Sequence, residues 1–434
     1  MIVSTAWAGK RYAVLGLARS GLATVRALAA AGAFVVAWDQ DAAARAKAEA
    51  IDGVIVHDIA ALDLTGAAGL VVSPGVPLNT HPIAAQARAA GVPIIGDIEL
   101  FAEARAELPA HKVVGITGTN GKSTTTALVA HILDVANLPV TMGGNIGLPI
   151  LGQTPLAPND RGAGVYVLEL SSYQIDLTTS LDCDVAVLLN ITPDHLDRYA
   201  DFDGYAASKA RLFAMQSPDH EAVIGIGDTP SAQIARSLSA RGEHLTKIAP
   251  GVCMDRSRWP SLQGPHNAQN ALAAIAVAQA LGVDEATIDR ALESFRGLPH
   301  RMERLGEVNG VSFVNDSKAT NPESAAPALA AFDRVHWIVG GKGKGDDLDA
   351  CLPHLGHVVR AYTIGASGPV FARALDGKVE VEQAETLEQA VVSAARQAQP
   401  GDTVLLSPAA ASFDQFRDYE HRGQAFREAV EGLS

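Results

Sequence analysis

Between Val113 and Thr124 the chain reads Val-Val-Gly-Ile-Thr-Gly-Thr-Asn-Gly-Lys-Ser-Thr, an apolar run that breaks into a glycine turn ending in Lys-Ser. Val113, Val114 and Ile116 suit a buried parallel strand, and Ala127 to Leu133 reads as the helix that follows. Gly118 and Gly121 let the backbone turn tightly, so that its N–H groups converge on an anion at the helix start. In that geometry Lys122 would neutralise phosphate charge and the Ser123 hydroxyl would serve a Mg²⁺ ion. The pattern G-x-x-x-x-G-K-[ST] is not met in full. Its first glycine position holds Ile116, and Gly115 stands one residue early. The stretch is therefore a variant phosphate loop, with a ligand-free glycine turn as the bland alternative.

A chain of 434 residues exceeds one ordinary core, and about 150 residues per domain gives three domains. We place them at 1–96, 97–298 and 299–434. The net charge of −14 argues against a general nucleic-acid or anionic-membrane surface, so phosphate binding must rest on local Lys, Arg and backbone N–H groups. Cys183, Cys253 and Cys351 are odd in number and lack metal-ligand spacing, which suits free thiols in a reducing cytoplasm. Arg19 and Arg26 interrupt the apolar N-terminal region, and no apolar stretch is long enough for a membrane span.

In the first domain, Tyr12 to Leu15, the turn Gly16-Leu-Ala-Arg-Ser-Gly21, a helix from Leu22 to Ala31 and the strand Phe34 to Trp38 form a β-α-β unit closed by Asp39. Ala18 occupies the middle glycine position of G-x-G-x-x-G. A nucleotide diphosphate, a nicotinamide dinucleotide and a bare structural turn all remain open for this segment. Strands are expected at Val54 to Val56, Leu70 to Val72 and Pro93 to Ile95, and such alternation indicates a parallel sheet flanked by helices.

In the second domain a buried-strand pattern, Val165 to Leu170, contains Glu169. A carboxylate there is costly to bury unless it is paired or bound to a cation, and the phosphate loop already calls for a metal. His195 lies beyond the apolar strand Val185 to Leu189, where parallel-sheet enzymes place ligand groups. Lys209, on a helix from Tyr205 to Met215, reads by spacing alone as an ordinary solvated lysine. Residues 216 to 260 suggest a few short strands. Asn267 and Asn270 could share one face of a helix's first turn, reading a base edge or simply capping. The third domain alternates again, with strands at Val311 to Asn315, Val335 to Val339, Ala361 to Ile364 and Thr403 to Leu406, and a helix from Leu387 to Gln397.

The strings GITGTNGKST, GGNIG, LELSSYQ, NITPDHLDRY, GPHNAQN, LPHRME, NDSKATN and LLSPAAASFDQF occur in the order seen in the Mur ligases, and the chain resembles that family over essentially its whole length. NDSKATN and the serine-rich C-terminal string resemble the D-glutamate-adding branch, and the DNPR-type string of the diaminopimelate- or lysine-adding relatives is absent. The resemblance implies three α/β domains: a Rossmann-like N-terminal domain, a central P-loop ATPase-type domain with a parallel sheet, and a Rossmann-like C-terminal domain. It implies a cytoplasmic monomer that makes peptidoglycan precursor by ATP-dependent addition of D-glutamate to UDP-N-acetylmuramoyl-L-alanine through an acyl phosphate, with two Mg²⁺ sites.

Carried over by motif, Gly118, Thr119, Asn120, Gly121, Lys122, Ser123 and Thr124 would take the ATP phosphates. Asn267 and Asn270 would read adenine, while Arg301, Asp316 and Lys318 would act on ATP from the third domain. Ser123 and Glu169 would serve the first metal and His195 the second, with Lys209 matching the lysine that the family carbamylates. Lys122, His195 and Lys209 are thus the implied catalytic residues. The uridine diphosphate would meet Leu15, Gly16, Leu17, Arg19, Asp39 and Ser73, and Asn145 and Ser171 would position the sugar-peptide end. The acceptor would be held by Lys318, Thr320, Lys344 and Ser412, with Tyr419 nearby. Lys342 and Gln40 depart from the family's pattern, the first from an acidic residue and the second from a small hydroxyl residue. The rivals are an alanine-adding Mur ligase, a folylpolyglutamate synthetase, a non-catalytic nucleotide-binding regulator and an oxidoreductase.

Overall fold

The structure, a computed structural model, describes residues 1–194, 198–249, 258–259, 261–262, 265–343, 345 and 347–433, leaving aside the side chains of residues 265 and 266. The chain divides into two compact units, Met1–Pro250 with Gln269–Ala291, and Gly251–Ala268 with Leu292–Ser434.

The first unit carries two sheets. β1 (Arg11–Leu15), β2 (Phe34–Trp38), β3 (Val54–Val56), β4 (Gly69–Val72) and β5 (Ile94–Ile95) form a parallel sheet in the order β3-β2-β1-β4-β5. The order turns outward in both directions from β1, so the crevice between β1 and β4 is where a ligand is expected in such a fold. The second sheet holds β6 (His111–Thr117), β7 (Val140–Gly144), β8 (Gly164–Glu169), β9 (Val185–Leu188), β10 (Glu221–Gly225) and β11 (Leu245–Ile248), all parallel, in the order β11-β10-β9-β6-β8-β7. Every residue of β8 and β9 is buried, as expected for strands covered by helices on both faces. One apolar core cluster takes in residues from both sheets, including Trp7, Val14, Phe101, Val113, Tyr166 and Leu188. Glu99, on the helix Asp97–Ala104, accepts from the backbone and hydroxyl groups of both Thr179 and Ser180, fastening that helix to the second sheet's loops.

The second unit is built on β12 (Glu303–Val308), β13 (Val311–Asn315), β14 (Val335–Gly340), β15 (Val358–Ile364), β16 (Glu380–Glu385) and β17 (Thr403–Leu406), ordered β12-β13-β17-β14-β15-β16. β12 is antiparallel to β13 and the other pairings are parallel. Separate apolar clusters line the two faces, one around Trp337 and Phe371, the other around Phe313, Tyr362 and Phe426. Residues 216–249 hold more than the short strands expected from sequence. A helix, Thr229–Ser237, separates β10 from β11, capped by the Asp228 carboxylate on the Ser231 N–H and opened by Pro230.

Among the described residues no helix is long and apolar enough to cross a membrane. Cys183 and Cys351 are buried free thiols, and Cys253 lies outside the described residues.

Candidate active site

β6 runs apolar and buried up to Thr117, where the chain turns. Gly118 has φ 151° and Gly121 φ 84°, the latter forming the cap of a helix that starts at Lys122 and runs to Val135. The helix thus begins five residues before the apolar stretch that suggested it, because Ser and Thr are well tolerated in a first turn. Asn190, just past β9, braces the loop. Its carbonyl accepts from Thr119 N at 2.9 Å and its side-chain oxygen accepts from Asn120 N at 2.9 Å. Asn270 packs from the other side, where Oδ1 accepts from Thr125 Oγ1 at 3.3 Å, and it would lie 2.3 Å from a Cβ placed on Gly121. Asn267 is buried in the first turn of the helix Pro265–Ala280.

Two lysines converge on one carbonyl. Lys122 Nζ donates to Gly118 O at 2.9 Å and to Thr119 O at 2.8 Å, and Lys209 Nζ donates to Gly118 O at 2.9 Å. Lys209 projects from the helix Phe202–Ala214, is 1% exposed, and has its ammonium 4.7 Å from the centre of the Tyr205 ring. Burial, and then the charge of Lys122, hold its pKa well below the ordinary lysine value. Burial of that kind favours the neutral amine over the ammonium.

Glu169 ends β8 directly beside Ile116 of β6 and is 2% exposed. Its Oε1 accepts from Asn145 Nδ2 at 2.8 Å, while Oε2 has no hydrogen-bond partner among the described residues. An orphaned carboxylate oxygen beside a phosphate loop fits a divalent cation, with buried Ser123 as a hydroxyl donor on the same loop. Asn145 therefore supports the carboxylate, a contact its assignment to the sugar-peptide end did not anticipate. Ser171 forms a capping box with Gln174 at the start of the short helix Ser172–Asp176. Thr124 lies in the first turn of the loop's helix, and His195 lies outside the described residues.

In the first sheet, Gly16 has φ 91° and its N–H reaches Trp38 O, while the Asp39 carboxylate accepts from Leu17 N at 2.6 Å. Ser73 N–H reaches Leu15 O, and its hydroxyl donates to Gly16 O at 2.9 Å. The structure thus brings Leu15, Gly16, Leu17, Asp39 and Ser73 together at the carboxyl ends of β1, β2 and β4. Arg19 donates to Gly147 O at 3.2 Å, across to the glycine turn after β7. Arg45 bonds the carbonyls of Asp39 and Gln40 and stacks over Trp38.

In the second unit, Asp316 is buried, with oxygens accepting from Met302 N at 3.2 Å and Ser407 Oγ at 2.9 Å, and burial pushes its pKa up to about 7. Arg301 N–H bonds Leu298 O and its charge acts on Asp316. Lys318 Nζ sits 3.9 Å from the centre of the Tyr419 ring, and Lys318 N donates to His300 O. His300, Met302 and Ala409 in these motifs have positive φ, as do Asn137, Asn309 and Glu385 outside them. Ser412 is buried and Thr320 partly so; Lys342 pairs with Ala411 through backbone hydrogen bonds, and Lys344 lies outside the described residues.

Sequence reasoning passed over Arg422. It is 1% exposed on the helix Tyr419–Glu431, donating to Ser317 Oγ at 3.0 Å, Ser317 O at 2.8 Å and Ala410 O at 3.0 Å. It thereby ties the NDSKATN and LLSPAAAS strings together. Asn315 Nδ2 likewise contacts Glu303 Oε2 and Gly423 O.

Residues 10–96 match the MurD-like N-terminal domain of Mur ligases, residues 116–252 the Mur ligase middle domain, and residues 300–410 the Mur ligase glutamate ligase domain. A protein of Novosphingobium aromaticivorans named UDP-N-acetylmuramoylalanine--D-glutamate ligase is 62% identical over 435 residues, covering 100% of this chain and 97% of its own. The protein of that name from Sphingopyxis alaskensis is 61% identical, with 100% of both chains covered. Among solved structures, the MurF ligase of Thermotoga maritima in complex with ADP superposes with a TM-score of 0.62 at 16% identity, covering 100% of this chain and 98% of its own. The UDP-N-acetylmuramate-alanine ligase MurC of Thermotoga maritima gives 0.59 at 18%, with 98% and 100% covered, so both support the fold. With three domains of one family matched in order and relatives alike from end to end, the chain belongs to the Mur ligase family.

Proposed function

We propose that the protein joins D-glutamate to the L-alanine carboxylate of UDP-N-acetylmuramoyl-L-alanine in cytoplasmic peptidoglycan precursor synthesis, consuming ATP and releasing ADP and phosphate. The observation that carries this reading is the end-to-end identity with relatives named for that substrate pair. The ADP held by a solved structural relative supports a nucleotide at the phosphate loop. We take residues 1–96, 97–298 and 299–434 as the domains serving the UDP-substrate, ATP and the amino acid.

A carboxylate is a poor acyl donor because its oxygen leaves badly. In our reading a carboxylate oxygen takes the γ-phosphoryl group, the bond to ADP breaks, and an acyl phosphate results. The D-glutamate nitrogen then attacks the carbonyl carbon. The tetrahedral intermediate expels phosphate carrying the former carboxylate oxygen, and the nitrogen loses a proton. Such transfers depend chiefly on positioning and charge neutralisation. The amides from Gly118 to Ser123 cradle phosphate, and Lys122 exchanges the carbonyls of Gly118 and Thr119 for phosphate oxygens. Ser123 and Glu169 would hold one Mg²⁺, and His195 with Lys209 as its carbamate a second; the ions supply charge neutralisation to the phosphates when bound. The neutral Lys209 amine forms its N–C bond to CO₂ with loss of one proton, turning a neutral group into an anion.

Leu15 to Leu17, Arg19, Asp39 and Ser73 are assigned to uridine diphosphate, with Asn145 and Ser171 for the sugar-peptide end. Asn267 and Asn270 are assigned to adenine, and Arg301, Asp316 and Lys318 to ATP. Lys318, Thr320, Lys344, Ser412 and Tyr419 are assigned to the acceptor, whose two carboxylates call for cations and hydroxyl donors. The test is isotopic. Substrate carrying ¹⁸O in its alanine carboxylate should deliver one labelled oxygen to each phosphate released, and unlabelled phosphate would remove the acyl-phosphate step.

A further inference from the structure

Asp97 opens the helix Asp97–Ala104 and is 4% exposed, yet neither carboxylate oxygen has a hydrogen-bond partner among the described residues. It lines a small pocket of about 10 Å³, room for a single water-sized occupant, together with Val14, Ser20, Gly21, Thr24, Val71, Val72, Ser73 and Pro74. The pocket lies where β1 and β4 diverge in the strand order. Ser20 and Thr24 are one helical turn apart and so share a face of the helix Arg19–Ala30. Ser73 spends its proton on Gly16 O, which leaves its oxygen lone pairs free to accept or coordinate. Arg198 donates to Pro74 O on the pocket wall and Arg19 to Gly147 O, and among the described residues no side chain makes a hydrogen bond to the carboxylate.

Burial raises the Asp97 pKa to about 6, opposed by the nearby backbone N–H dipoles of Ile98 and Asp97, which act on the carboxylate without reaching hydrogen-bond geometry. The carboxylate is consequently still ionised at neutral pH. A buried anion of that kind requires a counter-charge, and one negative charge among neutral hydroxyl oxygens matches a single positive one. A divalent ion would call for more carboxylates or a larger shell of water.

We propose that this pocket is a binding site for a small monovalent cation, Na⁺ or K⁺, held by the Asp97 carboxylate with hydroxyl oxygens of Ser20, Thr24 and Ser73. The site is separate from the phosphate loop and adjoins the Gly16–Gly21 turn through Ser20, Gly21 and Ser73. The test uses the full chain at pH 8 and constant ionic strength, with N-methyl-D-glucamine chloride replaced stepwise by KCl or NaCl. The thermal midpoint should rise with K⁺ or Na⁺ in the wild type and stay flat in Asp97→Asn. No difference between the small cations and N-methyl-D-glucamine in the wild type would overturn the proposal, as would an equal response in Asp97→Asn. A midpoint that depends on pH between 5 and 8 without any dependence on the cation would also overturn it, in favour of a proton alone. Should Asp97→Asn fail to fold, thallium(I) resonance broadening by the wild type, reversed on adding K⁺, is the expected result. Absence of broadening counts against the site.

Discussion

Gly121→Ala tests the phosphate loop at the residue where turn becomes helix. At φ 84° an alanine occupies the left-handed region at a cost of about 1–2 kcal/mol. Its Cβ would lie 2.3 Å from Asn270 Oδ1, 3.1 Å from Asn270 Cγ and 3.2 Å from Leu189 Cδ1. Asn270 is 3% exposed, so it cannot swing into solvent, and moving it forfeits the hydrogen bond from Thr125, worth about 1 kcal/mol. The lower entropy of the unfolded alanine chain returns roughly 0.4–1 kcal/mol. The net expectation is a loss of about 2 kcal/mol in urea unfolding. ATP affinity by titration calorimetry should fall at least tenfold, because the turn's N–H groups no longer converge. Gly356→Ala, where an added Cβ meets nothing within 4 Å, is the control and should stay within about 0.5 kcal/mol of wild type. A Gly121→Ala variant as stable as that control, with unchanged ATP binding, would refute the reasoning.

Glu169→Gln removes the charge on a buried, half-unpaired carboxylate, so phosphate release should need at least tenfold more Mg²⁺ while stability holds or rises; an unaltered Mg²⁺ titration would remove Glu169 from the metal site. Lys209 binds its proton less tightly folded than unfolded, so its contribution to stability grows as pH rises from its lowered pKa toward the unfolded value of 10.5. The stability of wild type relative to Lys209→Met should therefore rise with pH, measured by urea midpoints in CO₂-free buffer, and a flat difference would contradict the burial of that charge. Arg422→Met should lose about 3 kcal/mol, since it strips hydrogen bonds from Ser317 and Ala410 inside the unit. A loss below about 1 kcal/mol would show that those contacts are dispensable. Asp97 binds its proton more tightly folded, at about 6, than unfolded, at 3.8, so the stability it provides is greatest at low pH and falls as pH rises to about 6. Without K⁺ or Na⁺, Asp97→Asn should then exceed wild type by about 3 kcal/mol at pH 8, with the gap closing below pH 6.

The parallel strands were legible because burial on both faces writes itself as an apolar run: β2, β3, β13 and β17 fall on the residues expected. β12 escaped because Glu-Arg-Leu-Gly-Glu-Val is a half-exposed edge with no such run. The helix Thr229–Ser237 rests on an Asp cap and a proline start rather than on apolar periodicity. Within the site, Lys122 and Ser123 stood out because glycine turns mark them, and Glu169 because a carboxylate in a buried strand is costly. Arg422 gave no local signal. Its partner Ser317 lies 105 residues away in sequence, and only the folded sheet brings the two together. Lys209 was similarly ordinary by spacing, and its unusual chemistry comes from the burial that the turn at Gly118 imposes.

The central claim is tested most directly by phosphate release from ATP in the presence of UDP-N-acetylmuramoyl-L-alanine, with D-glutamate compared against L-glutamate, L-alanine and no amino acid. Release that needs both the UDP-substrate and D-glutamate is the expected result. Release with another amino acid would move the protein elsewhere in the family, and none with any acceptor would contradict the account.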